Sequence, residues 1–422
     1  MVEKIILNNG VRVLCEKLPY LRSCSIGFWA ESGSRHETAE INGISHFLEH
    51  MLFKGTTTRS AADLACAFDE IGGQVNAFTS KDHTCYYTRT TDMHLQTAVD
   101  LLLDMYVNSV FDQKETDLER GVICEEIDMY EDTPDDLVNE LFAQNIYAGD
   151  PLGRPVLGTK ETLAAITPEV LRDYHKKRYT ACNTLVSLCG NISDEALQEI
   201  CRKLESIPAG GDKTEDKEVG FKPCIVTRRK KIEQNHLIVG FEGVPLGSED
   251  RFVMQALNNI LGAGMSSRLF QRVREQNGLC YSIYSFCTNY TGAGVLGVYV
   301  GLSRDSERKA LSLIHEIFEE IKRDGVTQEE LHRTKEQLKT SLLMGMESTA
   351  SRMSTIARNE MVYGREVSED ELIAGIDSVT SEDIRKLANR VFDYTRGSLS
   401  AVGNVERKSE YASLLKTGKV SE

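Results

Sequence analysis

Apolar residues fall at helical intervals at Ile44, Phe47, Leu48, Met51 and Leu52, and His46, Glu49 and His50 occupy positions between them. The pattern predicts a short amphipathic helix, punctuated by Asn42-Gly43 before it and Gly55 after it. A second helix is predicted over 117–132, and longer ones over 304–324 and 327–348. The stretch from Met1 to Leu14 reads as a short hairpin, and Gly73 to Ser80 as a strand after a Gly-Gly turn. Each half of the chain runs strand pair, helix, strand pair, long helices, then helix and strand. That order predicts an α+β fold in which a mostly antiparallel sheet packs with helices.

The two halves resemble each other. Thr167 to Asn191 matches Thr380 to Asn404 without a gap, pairing Arg172 with Arg385, Tyr179 with Phe392 and Gly190-Asn191 with Gly403-Asn404. Ile26-Gly27-Phe28 and Val239-Gly240-Phe241 repeat at the same offset. Solenoid arrays use much shorter periods, so the pattern is a duplication: two tandem homologous domains, 1–208 and 221–422. The polar, glycine-rich stretch 209–220 reads as the linker between them.

Whole-chain properties narrow the field. A length of 422 residues exceeds one usual core and favours two domains. The content of 41% hydrophobic and 27% charged residues is that of a globular protein. A formal charge of −15 repels phosphate backbones, argues against nucleic acid, and suits neutral or basic peptides. The compact basic run Arg228-Arg229-Lys230-Lys231 reads as a solvated strand edge. No run approaches a membrane span, and the N-terminus shows no cleavable signal pattern. Eleven cysteines, with no Cys-x-x-Cys pair, fit a reducing compartment better than a disulfide framework, so a cytoplasmic location is expected.

The candidate chemistry lies on the two predicted helices. Residues four apart share a helix face, so His46 and His50 can present ring nitrogens to one metal ion, and Glu49 lies beside them. On 117–132, Glu119 and Glu126 are seven apart and share a face. Catalytic zinc commonly takes three protein ligands, so a carboxylate from this helix would complete a His-His-Glu set. The other carboxylate suits a bond to the free N–H of a ligating histidine.

His46-Phe47-Leu48-Glu49-His50, in its setting Gly43 to Thr56, resembles the inverted zinc motif of the insulinase, pitrilysin and mitochondrial processing peptidase family, the M16 metallopeptidases. The resemblance implies Glu126 as third zinc ligand, chosen over adjacent Glu125 by the local pattern Val-Ile-Cys-Glu-Glu-Ile, with Glu119 supporting a ligand. It implies that Glu49 is the general base, and that Asn76 and Ala77 on the 73–80 strand contact an extended peptide substrate near the scissile bond. In the second half, Arg274 and Tyr281 have the family's seven-residue offset, which implies that Arg274 anchors the substrate backbone and Tyr281 hydrogen-bonds the oxyanion.

The second half has no histidines around Val253 to Leu261 and places Leu342 where a ligand would fall, so one Zn2+ per chain is expected. The whole is then expected to form a clamshell in which the metal-free domain closes over peptide. A homodimer is expected from the chain's half-size relative to the family's longer members. The expected activity is zinc-dependent endopeptidase action on unstructured or presequence-like segments. Two alternatives are a catalytically silent scaffold subunit of the same fold and a zinc hydrolase of another amide.

Overall fold

A computed structural model describes residues 2–211, 213 and 218–419. Residues 212 and 214–217 of the linker expected at 209–220 lie outside the described residues. The first sheet contains β1 (Val2–Ile6), β2 (Arg12–Lys17), β3 (Ser23–Ala30), β4 (Gln74–Thr79), β5 (Thr84–Thr91) and β6 (Thr184–Gly190), in the order β1-β2-β6-β3-β5-β4. The second contains β7 (Ile225–Arg229), β8 (Asn235–Glu242), β9 (Cys280–Tyr290), β10 (Ala293–Leu302) and β11 (Ser398–Gly403), in the order β7-β11-β8-β10-β9. With β1 set aside the two orders are the same topology, the three-dimensional counterpart of the internal repeat. Pairing is antiparallel except for β2 with β6 and β7 with β11, so the sheets are mostly antiparallel.

The expected helices form at Ile44–Met51, Gln113–Asp132, Arg304–Asp324 and Gln328–Gly345. The second begins four residues before the expected start at 117, because Asp112 caps it: its carboxylate accepts the Lys114 and Glu115 N–H groups at 2.8 and 3.3 Å.

The chain does not divide at one cut. Two compact units form, one of Met1–Ile127, Arg154–Glu215 and Leu343–Val367, the other of Asp128–Gly153, Asp216–Leu342 and Ser368–Glu422. Each half of the sequence therefore contributes a helix to the unit built mainly from the other half. This differs from the contiguous pieces 1–208 and 221–422, and the physical reason is the sheets. Strand β3 is buried along nearly its whole length, so its sheet needs apolar cover on both faces. One face packs on a core that includes Ile26, Phe28, Phe47, Leu48 and Tyr106. The other takes the helix Thr349–Tyr363, whose Met353, Ile356 and Ala357 pack with Trp29, Leu14 and Leu185. In the second unit the helix Pro134–Ile146 does the same work, placing Leu137, Val138 and Phe142 against Ile238 and Val402.

The repeated Gly in Ile-Gly-Phe and Val-Gly-Phe is explained by these exchanged helices. A Cβ on Gly27 would lie 2.5 Å from Met353 Sδ, and one on Gly240 would lie 2.3 Å from Phe142 Cζ. Both glycines are the floor on which an exchanged side chain rests. No helix among the described residues is long and apolar enough to cross a membrane, and all eleven cysteines are free thiols.

Candidate metal centre

The helix Ile44–Met51 turns Ile44, Phe47, Leu48 and Met51 into the core, which leaves His46, Glu49 and His50 on its other side. Its first residues bend through Gly43, at φ 97°, a conformation that a side chain would strain. Gly43 brings no capping side chain. The buried carboxylate of Glu37 supplies the cap instead, accepting Gly43 N–H at 2.7 Å, Ser45 N–H at 2.8 Å and Asn42 Nδ2–H at 2.8 Å. Burial pushes the Glu37 carboxyl up to about 7 while these donors pull it down. The positive end of the helix favours its anion.

His46 and His50 meet Glu126 from the helix Gln113–Asp132. His46 Nε2 lies 3.7 Å from Glu126 Oε2, and His50 Nε2 lies 3.8 Å from Glu126 Oε1. One donor atom from each of the three residues falls within 4.8 Å of the others, and no other such group of three His, Cys, Asp or Glu occurs among the described residues. Zinc bonds of about 2.1 Å in a tetrahedron separate donors by roughly 3.4 Å, so a nitrogen, nitrogen, oxygen set at this spacing fits the ion. Burial, and then the neighbouring His50, hold His46 down at about 3, which keeps its ring neutral and its lone pair available. His46 Nδ1 is buried and has no hydrogen-bond partner among the described residues.

Glu119, one turn pair before Glu126, fixes the other ring. Its Oε2 lies 3.0 Å from His50 Nδ1 and its Oε1 lies 2.5 Å from Lys54 Nζ. A carboxylate is an acceptor, so His50 donates from Nδ1 and turns the Nε2 lone pair toward Glu126. Glu49 lies mostly buried beside them and accepts a hydrogen bond from Thr79 Oγ1 at 2.5 Å. Burial raises its pKa, the Thr79 hydroxyl and His50 oppose that, and the Glu126 charge adds to it.

Asn76 and Ala77 lie on β4, the last strand of its sheet, with Asn76 Oδ1 accepting the Ala77 N–H at 2.8 Å. Arg274 and Tyr281 belong to the second unit. The Arg274 guanidinium lies over Phe270 at 4.6 Å and over Tyr281 at 5.8 Å, and Tyr281 is 77% exposed. The structure therefore brings together His46, His50, Glu126 and Glu119 in one group and Arg274 with Tyr281 in another. Glu37, Lys54 and Thr79 were missed from sequence. Lys54 had a signal, since it falls four residues after His50 on a continuing turn; Thr79 shares strand parity with Ala77; Glu37 had none.

The protein is thus built of two sheet-and-helix units of one topology, one of which carries a His-His-Glu group able to hold a metal ion, with Glu49 on the same helix. The chain belongs to the insulinase family, peptidase family M16, whose model matches residues 12–160, while that of the peptidase M16 inactive domain matches 165–338. It is 45% identical over 407 residues to an uncharacterized zinc protease of Bacillus subtilis (strain 168), covering 96% of this chain and 100% of that one. A Streptomyces coelicolor protein also described as an uncharacterized zinc protease is 38% identical, with 96% and 90% covered. The crystal structure of a protease from Helicobacter pylori shares the fold, with a TM-score of 0.89 at 21% identity over 95% of this chain and 99% of that one.

Proposed function

We propose that the protein is a zinc-dependent endopeptidase that cleaves unstructured peptides held in extended form along β4. The observation that carries this is the convergence of His46, His50 and Glu126, with Glu49 held beside them on the same helix. The names of the relatives support the same activity. One zinc ion per chain, held by those three residues, would supply Lewis acidity toward the scissile carbonyl.

The chain's own residues do the rest. Glu119 locks the His50 ring. Glu49 takes the proton of the attacking water and delivers it to the leaving amine. The free edge of β4, with Asn76 and Ala77 at the point of contact, holds the peptide through the main-chain groups that face away from β5, a mode that tolerates varied sequence. Arg274 is assigned to the substrate backbone and Tyr281 to the oxyanion, roles taken from the family resemblance and supported by their close pairing and the exposure of Tyr281. A homodimer in the cytoplasm completes the proposal; the free thiols support a reducing compartment.

The test is hydrolysis of an internally quenched, unstructured peptide with bound zinc quantified, for wild type and Glu49→Gln. Glu49→Gln should keep one zinc per chain and lose turnover by about 10²–10⁴-fold. Near-normal turnover in that variant excludes Glu49 as the base. Stoichiometric zinc in a wild type that cleaves no unstructured peptide supports the scaffold reading.

A further inference from the structure

Strand β4 has two faces and a free edge; Val75, Ala77 and Thr79 belong to both the inward face and the edge, and of the three Thr79 hydrogen-bonds Glu49. Ser80 N–H donates to His83 O at 2.8 Å, closing the turn between β4 and β5, so the 80/83 pair is a hydrogen-bonded one. Thr79 pairs with Thr84, Ala77 with Tyr86 and Val75 with Thr88. Because hydrogen-bonded and non-hydrogen-bonded pairs alternate in an antiparallel ladder, Val75, Ala77 and Thr79 turn their backbone N–H and C=O away from β5, onto the free edge. The Ala77 N–H agrees with this, since it is taken by its neighbour's Asn76 Oδ1 and not by β5.

The side chains of the same three residues point inward. Val75 and Ala77 pack against the core that includes Phe47 and Leu48. Thr79 instead donates its hydroxyl to Glu49 Oε2 at 2.5 Å, the length of a strong hydrogen bond to a carboxylate. The rival acceptor, Thr84 Oγ1, is 3.4 Å away and donates its own proton to Ser32 O at 3.0 Å.

We propose that Thr79 is a positioning residue that ties the substrate-binding edge to the base: its backbone lies on the edge where an extended peptide pairs, and its hydroxyl fixes the carboxylate of Glu49. A peptide seated on β4 and the group that moves the proton are then held by one residue, and the register of the first sets the distance to the second. This rests on the peptidase reading above.

The experiment compares zinc-loaded wild type, Thr79→Val, Thr79→Ser, Glu49→Gln and the Thr79→Val/Glu49→Gln double variant. Valine keeps the shape and strand preference and deletes only the donor. Thr79→Val should keep the zinc content, melting temperature and KM of wild type and lose about 10–100-fold in kcat, the worth of one hydrogen bond to a charged group. Thr79→Ser should recover most of that loss. The double variant should be no slower than Glu49→Gln, because the hydroxyl acts only through that carboxylate. In a crystal structure of Thr79→Val, the Glu49 carboxylate should leave its place beside residue 79.

A kcat within twofold of wild type in Thr79→Val, an unmoved Glu49, or a multiplicative loss in the double variant overturns the proposal. Failure of the peptidase reading shows differently, as a wild type that cleaves nothing or a Glu49→Gln enzyme that remains active, and either removes the proposal with it.

Discussion

Glu119→Gln tests the support of the metal centre one step behind the ligands. The wild-type carboxylate sits between two donors, His50 Nδ1 at 3.0 Å and Lys54 Nζ at 2.5 Å, and is only 6% exposed. Glutamine has one acceptor oxygen, so if that oxygen serves His50 its amide N–H2 faces the Lys54 ammonium, donor against donor; turned round, the clash falls on His50. Either orientation removes a charge-assisted bond worth about 1.5–3 kcal/mol. Replacing outer partners of metal-ligating histidines costs about 10–100-fold in metal affinity, or roughly 1.4–2.7 kcal/mol. The two ranges agree. The expected result is therefore zinc binding weakened about 10–100-fold, measured by competition with a chromophoric chelator at one fixed pH, with folding intact by circular dichroism. Lys54→Met should weaken zinc less, since the Glu119 to His50 bond survives. A Glu119→Gln protein that binds zinc within twofold of wild type would refute the role given to this carboxylate.

The exchanged helix predicts a stability effect remote from the metal: Met353, 1% exposed and packed with Trp29 and Leu185, should cost about 2–5 kcal/mol when replaced by alanine, read by denaturant unfolding, while zinc content stays unchanged. In the second unit, burial alone would raise Glu330, but the two bonds from Arg268, at 2.8 and 2.9 Å, and the Thr327 N–H outweigh it and hold the carboxyl at about 2. That depression stabilises the fold above the ordinary value of 4.5 and is lost as pH falls from there toward 2, so Arg268→Gln should raise the pH of the acid-unfolding midpoint; an unchanged midpoint counts against the clamp.

Much of this protein was legible along the chain because it depends on near neighbours. The 3.6-residue period that buries Phe47 and Leu48 also places His46 and His50 on one helix face, and the period of two along β4 assigns Ala77 and Thr79 to one side. The duplication was legible too, since equivalent strands need equivalent residues, down to the glycine of Ile-Gly-Phe and Val-Gly-Phe. The helix Gln113–Asp132 was readable as a helix, but which of its carboxylates meets which histidine was only suggested by spacing.

Tertiary structure decided what distant residues do for one another. The cap that Glu37 places on the His-bearing helix, the hold of Thr79 on Glu49 and the Lys54–Glu119–His50 chain each join side chains from separate elements. No local period encodes such meetings, because they are fixed by how elements pack. The same holds for the exchange of Pro134–Ile146 and Thr349–Tyr363 between units. Sequence shows each as a helix with an apolar side, and a central sheet that must be covered on both faces determines where that side is buried.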